Sequence, residues 1–74
     1  MRVIVFGPIV EKIGWREKVL NDVGTTVNDV IAAIGLDDLD PNSITIMLDG
    51  NRVNLSAPII GAAELAILPP VSGG

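Results

Sequence analysis

The chain contains no cysteine and no histidine. Without cysteine no disulfide framework can form, so packing of the core has to stabilise the fold. Zinc would lack its two most versatile protein ligands, and neither a Ser-His nor a Cys-His nucleophile can be assembled. Carboxylates and two lysines, Lys12 and Lys18, remain for chemistry. We therefore expect no metal site, no bound cofactor and no enzyme activity of the chain on its own.

Basic and aromatic residues are also scarce. Nine acidic residues stand against five basic ones, giving a net charge of −4, and Phe6 and Trp15 are the only aromatic side chains. Direct binding of nucleic acid needs a basic stripe that neutralises phosphates and, for single strands, aromatic stacking. We expect no direct nucleic-acid ligand, because an acidic surface better suits a basic pocket on another protein.

Long hydrophobic runs are missing too. The first apolar run, residues 3–6, is far too short for a signal segment or a membrane span. We therefore expect a soluble cytoplasmic protein that does not contact membranes. Yet 49% of the 74 residues are apolar and the mean hydropathy is +0.54. Since so short a chain buries only about 60% of its unfolded surface, some apolar surface should remain outside and mark a partner-binding face.

The first half of the chain predicts two strands and then a helix. Residues 2–6 are β-branched or aromatic on both alternating faces, which favours a central strand ending at Gly7-Pro8. Residues 9–14 read as a connection, and residues 16–20 as a second strand. Thr26 and Asp29 resemble a capping box at the start of a helix that ends before Gly35. The apolar stripe of this helix has helical spacing and consists of Val27, Val30, Ile31 and Ile34.

The second half predicts three further strands, at residues 44–48, 52–54 and 65–68, with a tight turn at Asp49-Gly50. The order β-β-α-β-β-β indicates an α+β fold of the β-grasp (ubiquitin-like) type, a mixed sheet with one main helix. A small ferredoxin-like fold would need a second helix, and the pattern shows none. We place the leftover apolar surface on the uncovered sheet face, with Met47 and Leu68 as candidates for contact with a partner.

The last six residues differ from the domain that precedes them. We divide the chain into a β-grasp domain, residues 1–68, and an extended flexible tail, residues 69–74. Pro69 and Pro70 favour a stiff extended arm, whereas Gly73 and Gly74 make a thin tip without side chains. Such a tip can enter a narrow channel in another protein's active site and present an unhindered carboxylate.

The ending Leu68-Pro69-Pro70-Val71-Ser72-Gly73-Gly74, with the Phe6-Gly7 strand end and the Thr26-Val27 helix start, resembles the small subunit of molybdopterin synthase in the MoaD/ThiS group of sulfur carriers. The resemblance implies that an ATP-dependent, E1-like adenylating enzyme activates the Gly74 carboxylate as an acyl-adenylate. Sulfur from a persulfide then leaves a thiocarboxylate there. It also implies a hetero-oligomer in which Pro69, Pro70, Val71, Ser72 and Gly73 insert into the active site of the large synthase subunit. ATP is used by the adenylating partner.

Other destinations for the same terminus stay open. A thiocarboxylate could serve tRNA thiolation, thiazole synthesis or conjugation to lysine, because the partner chooses the acceptor. A β-grasp interaction module with an inert tail is a different class of function. The approach to the last strand, residues 61–64, also departs from the acidic-glycine turn that is frequent in the group.

Overall fold

The computed structural model describes residues 1–70 and contains five strands, two α-helices and one 3₁₀ turn in that range. In chain order they are β1 (Arg2–Val5), α1 (Pro8–Ile13), β2 (Glu17–Val19), α2 (Val27–Ala33), the 3₁₀ turn (Pro41–Ser43), β3 (Thr45–Leu48), β4 (Asn51–Val53) and β5 (Glu64–Leu68).

The strands form one mixed sheet in the order β2-β1-β5-β3-β4. Its centre is the parallel pair β1–β5, in which Val3 lies opposite Leu65, and the other neighbouring strands are antiparallel. Because β1 has a partner strand on each side, it is a central strand and not an edge strand. This is what the apolar residues on both of its faces predict. The β-grasp architecture predicted from the element order is confirmed.

The core lies between one face of this sheet and α2. Along β1 and β5 every second side chain is buried, as the two-residue period of a strand requires. Helix α2 contributes one face of its 3.6-residue period, and Leu36 closes the end beyond it. The fully buried side chains of this layer are Val3, Val27, Val30, Leu36, Leu65 and Ile67.

One predicted connection is wrong, since residues 9–14 contain the helix α1. Pro8 occupies its first turn, where a missing N–H costs nothing, and Ile9 and Ile13 lie one turn apart on the side that meets the core. Gly14 ends the helix in the left-handed conformation and donates its N–H to the Val10 carbonyl at 2.7 Å. Six residues are too few for periodicity to reveal a helix. Since a second helix is present, the expected absence of one no longer argues against a ferredoxin-like fold, and the strand order β2-β1-β5-β3-β4 excludes that fold instead.

The predicted start of α2 is confirmed. Thr26 and Asp29 form a capping box, in which Asp29 Oδ2 accepts hydrogen bonds from the backbone N–H groups of Thr25 at 2.8 Å and Thr26 at 3.0 Å. These two bonds hold the pKa of the Asp29 carboxyl below its usual range. At the other end Gly35 has φ +82°, as expected just beyond a helix.

The predicted turn at Asp49-Gly50 also contacts the start of β5, the strand that pairs with β3 on the other side. Both residues have positive φ, 49° and 86°, which suits the two-residue hairpin between β3 and β4. The Asp49 carboxylate accepts hydrogen bonds from the backbone N–H groups of Ala63 and Glu64, at 3.0 Å and 2.9 Å. This side chain therefore fixes where β5 begins, one residue before the predicted start.

A charge on the core face of β3 should unfold the domain. Ile46 is 3% exposed, so Ile46→Asp would bury an unpaired carboxylate, at a cost comparable to the whole stability of a small domain, about 5–15 kcal/mol. Circular dichroism should show no cooperative thermal transition. The control, Ile60→Asp, changes the same residue type at an 82% exposed position and should unfold like the wild type. A folded Ile46→Asp protein would refute the assignment of Ile46 to the core.

The Asp29 cap should make stability depend on acid pH. Because folding lowers the pKa of Asp29, its contribution is complete above the ordinary value of 3.8 and is lost as pH falls through the folded-state pKa. We expect Asp29→Ala to lower the midpoint of thermal unfolding by a few degrees at pH 7, with the difference shrinking below pH 3.8. Asp37→Ala, at an exposed turn, is the control. A difference that persists unchanged in strong acid would contradict this role.

Candidate functional site

The chain leaves the sheet beside the turn between β1 and α1. Since β1 and β5 run parallel, their carboxyl ends lie next to each other, and the Phe6 N–H donates to the Ile67 carbonyl at 3.0 Å. Beyond this bond β1 continues into Gly7 and β5 continues into Pro69. The parallel pairing thus brings the predicted tail against the start of α1.

Gly7 and Pro69 are in direct contact. A Cβ atom built on Gly7 would lie 2.8 Å from Pro69 Cγ, closer than any side chain tolerates, and Gly7 has φ +64°. The Gly7 carbonyl accepts a hydrogen bond from Val10 N–H at 3.1 Å, which ties the same turn to α1. Glycine is therefore required here both by its own backbone and by its neighbour.

A small apolar cavity lies beside this contact, and we call it the tail-base cavity. Its volume is about 200 Å³. Lys12 lies at this cavity, and its Nζ is 3.3 Å from Asp38 Oδ2 in an exposed ion pair. The two prolines predicted to belong to the tail form part of its wall. The residues around it are Pro8, Ile9, Lys12, Leu39, Ser43, Ile44, Pro69 and Pro70.

The sheet face opposite α2, which we call the open face, has an apolar centre. The strand register aligns one side chain from each strand in a row across it, with half-buried residues in the middle and charges at both ends. From edge to edge this row is Glu17, Ile4, Ala66, Met47 and Arg52. Leu68, opposite Thr45, lies on the same face, and Phe6 follows Ile4 at 44% exposure.

An ion pair lies on the open face where β1 and β5 begin. Arg2 and Glu64 are opposite each other in β1 and β5 and form a salt bridge. The Glu64 carboxylate, assisted by Glu17, raises the pKa of the Arg2 guanidinium. The face therefore combines an apolar middle with a charged margin, the usual composition of a protein-binding surface.

The predicted site residues divide into three groups. Met47 and Leu68 lie together on the open face, half-buried, and their contact with a partner stays a prediction. Pro69 and Pro70 lie at the tail-base cavity. Val71, Ser72, Gly73 and Gly74 lie outside the described residues.

The sequence alone did not identify Ile4, Phe6 and Ala66 as part of the open face. The only indication in the sequence was that β1 has apolar residues on both faces. Since Val3 and Val5 are buried on one face, Ile4 has to lie on the other face of the strand. Which side chains it would meet depends on the register with β5. Within residues 1–70 no three acidic residues cluster closely enough to hold a metal ion, and no helix there could cross a membrane.

Comparison with known proteins adds a family and two structural neighbours. The model of the ThiS family matches residues 3–74. The crystal structure of small archaeal modifier protein 1 from Haloferax volcanii has a TM-score of 0.71 and 28% identity, covering 99% of this chain and 97% of that chain. The solution structure of the Methanosarcina acetivorans protein of the same name has a TM-score of 0.72 and 27% identity, covering 99% and 94%. No curated protein matches the chain.

Proposed function

The chain belongs to the ThiS family of ubiquitin-like sulfur carriers, and we propose that it carries sulfur as a C-terminal thiocarboxylate on Gly74 for the synthesis of molybdopterin, as the small subunit of molybdopterin synthase. The single observation behind the proposal is the family match over residues 3–74, which includes the Pro-Pro-Val-Ser-Gly-Gly ending after β5. The chain itself is not an enzyme; catalysis belongs to the complexes it enters.

The chemistry takes place at a carboxylate. That group attacks the α-phosphorus of ATP in the adenylating enzyme, and pyrophosphate leaves. A persulfide of the sulfur-donating partner then attacks the acyl-adenylate carbonyl and AMP leaves, which gives an acyl disulfide. A thiol of that partner cleaves the S–S bond, forming its own disulfide and leaving the thiocarboxylate on Gly74. A cysteine-free chain can hold carbonyl-bound sulfur in this way because the terminus supplies the carbonyl.

The tail determines how far the reactive group can reach. Residues 69–74 span at most about 20 Å when fully extended. Gly73 and Gly74 have no side chains, so a narrow channel can admit them. In the large synthase subunit Pro69, Pro70, Val71 and Ser72 would occupy the approach to the active site, and that subunit would supply the pterin pocket.

The open face is our candidate surface for docking. Its half-buried centre of Ile4, Ala66 and Met47 offers apolar contact, with Leu68 next to the tail. We propose that the adenylating enzyme and the large subunit use this face in turn, each as a hetero-oligomer with the carrier in the cytoplasm. Two partners that share one face and one tail cannot bind together, so sulfur loading and sulfur delivery would be separate encounters.

Intact-mass measurement tests the carrier function directly. We expect the protein, incubated with its adenylating enzyme, ATP and a persulfide donor, to become heavier by one sulfur-for-oxygen exchange. A variant that lacks Gly74 should keep the wild-type thermal midpoint and gain no mass. A second carrier that the same enzyme converts serves as the positive control. If that carrier gains mass and this protein does not, the proposal is rejected. Transfer from the loaded protein to a pterin dithiolene would then establish the molybdopterin branch.

Protein modification is the second candidate, because both structural neighbours described above are named modifier proteins. In that case the activated Gly74 carbonyl would form an isopeptide bond with a lysine of another protein, releasing AMP. A tagged chain should then appear in covalent conjugates that disappear on deletion of Gly74. Conjugates without any pterin product would favour this function over the first.

A charge in the middle of the open face should weaken docking and spare the fold. Met47 is half-buried beside Ala66 and Arg52, so we expect Met47→Glu to fold normally and to weaken binding to the adenylating enzyme roughly tenfold or more, about 1.4 kcal/mol. Titration calorimetry measures the affinity. Ile60→Glu, a charge at an exposed position off this face, is the matched control. Equal affinities for the two variants would exclude Met47 from the interface.

A further inference from the structure

We propose that Gly7 is a positioning residue that sets the direction in which residues 70–74 leave the domain, through its contact with Pro69. The consequence for sulfur transfer rests on the function proposed above, whereas the direction itself is a property of the isolated chain.

Few contacts other than that between Gly7 and Pro69 can set the direction of the chain where it leaves β5. The last described pairings of β5 are Ile67 with the Phe6 N–H and Leu68 with Thr45. Pro69 comes next, and its ring fixes its own φ near −65°. Apart from the adjoining residues Phe6 and Pro8, its Cγ and Cδ are the only atoms of residues 1–70 within 4 Å of the position that a Gly7 Cβ would take. The Pro69 ring therefore packs directly against the backbone of Gly7. Any other residue type at position 7 would place a Cβ atom there.

A methyl group at position 7 would displace this ring. The 2.8 Å separation is well inside the 3.4–4 Å of ordinary contact, and one side is a stiff ring, not the end of a flexible side chain. Because Pro69 cannot change φ, displacement of the ring requires a rotation of the chain at Leu68. A rotation there changes the direction of the chain that follows Pro69.

The direction can be measured without any sulfur chemistry. The chain has no cysteine, so Asn42→Cys, in the exposed 3₁₀ turn near the tail-base cavity, accepts a single nitroxide label. Paramagnetic relaxation of the Gly73 and Gly74 amide protons then reports their distances from the label. We expect Gly7→Ala to shift both relaxation rates. Gly14→Ala, which also has positive φ but meets nothing within 4 Å, should leave them unchanged.

A second variant separates the contact from backbone strain at position 7. Pro69→Ala removes the ring Cγ and should also shift the relaxation rates, with no change at Gly7. In the double variant the new methyl no longer meets a Cγ, so Gly7→Ala should add little to the effect of Pro69→Ala. If Gly7→Ala does not fold, Gly7→Asn takes its place, because Asn adds the same Cβ and tolerates a positive φ better than Ala. Wild-type relaxation rates in folded Gly7→Ala or in Pro69→Ala overturn the proposal.

The kinetic consequence is a loss of turnover without a loss of binding. With the adenylating enzyme, we expect Gly7→Ala to lower kcat for thiocarboxylate formation roughly 10- to 100-fold at unchanged KM, because the open face still docks while the carboxylate is misplaced. Gly14→Ala should match the wild type. A raised KM at wild-type kcat would make Gly7 a docking residue and reject positioning. If the wild type is not converted at all, the carrier function fails, and the relaxation measurement still decides the role of Gly7.

Discussion

The parallel pairing of β1 with β5 is the constraint on which the rest of the structure depends. It joins residues 2–5 to residues 64–67, the two ends of the domain, and places the sheet centre there. The hydrogen bond from Phe6 N–H to Ile67 then brings the first turn and the tail together at one end. The alternation that buries Val3 and Leu65 against α2 also leaves Ile4 and Ala66 on the open face. Core, candidate docking surface and tail exit are all consequences of one register.

The core and the proposed docking surface are thus two faces of the same strands. A shift of β5 by one residue would replace Leu65 and Ile67 in the core by Ala66 and Leu68. It would leave the core underfilled and make the open face more apolar. The Asp49 carboxylate opposes such a shift because it binds the N–H groups of Ala63 and Glu64. A turn residue at the end of the neighbouring strand β3 therefore supports the surface that we propose for partner binding.

Much of this arrangement could be predicted from the sequence, and the failures have physical causes. Strands and helix α2 follow from side-chain period and from the Thr26–Asp29 cap, which are local properties. Helix α1 was missed because six residues give less than two turns, so Ile9 and Ile13 are its only periodic evidence. The composition of the open face and the contact of Gly7 with Pro69 depend on register between segments about sixty residues apart, which no local pattern records.

The position of β5 in the chain also bears on how the protein is made. The sheet has its central parallel pair only after residues 64–68 have been synthesised, so the antiparallel strands made earlier lack the element that joins them. Pairing across so long a stretch is slow and strongly cooperative. A chain interrupted before β5 lacks the strand that pairs with both β1 and β3, and with it the complete open face. Under the function that we propose, the open face and the Gly74 carboxylate would therefore be completed within a few residues of each other, so the reactive group would not precede the surface that presents it.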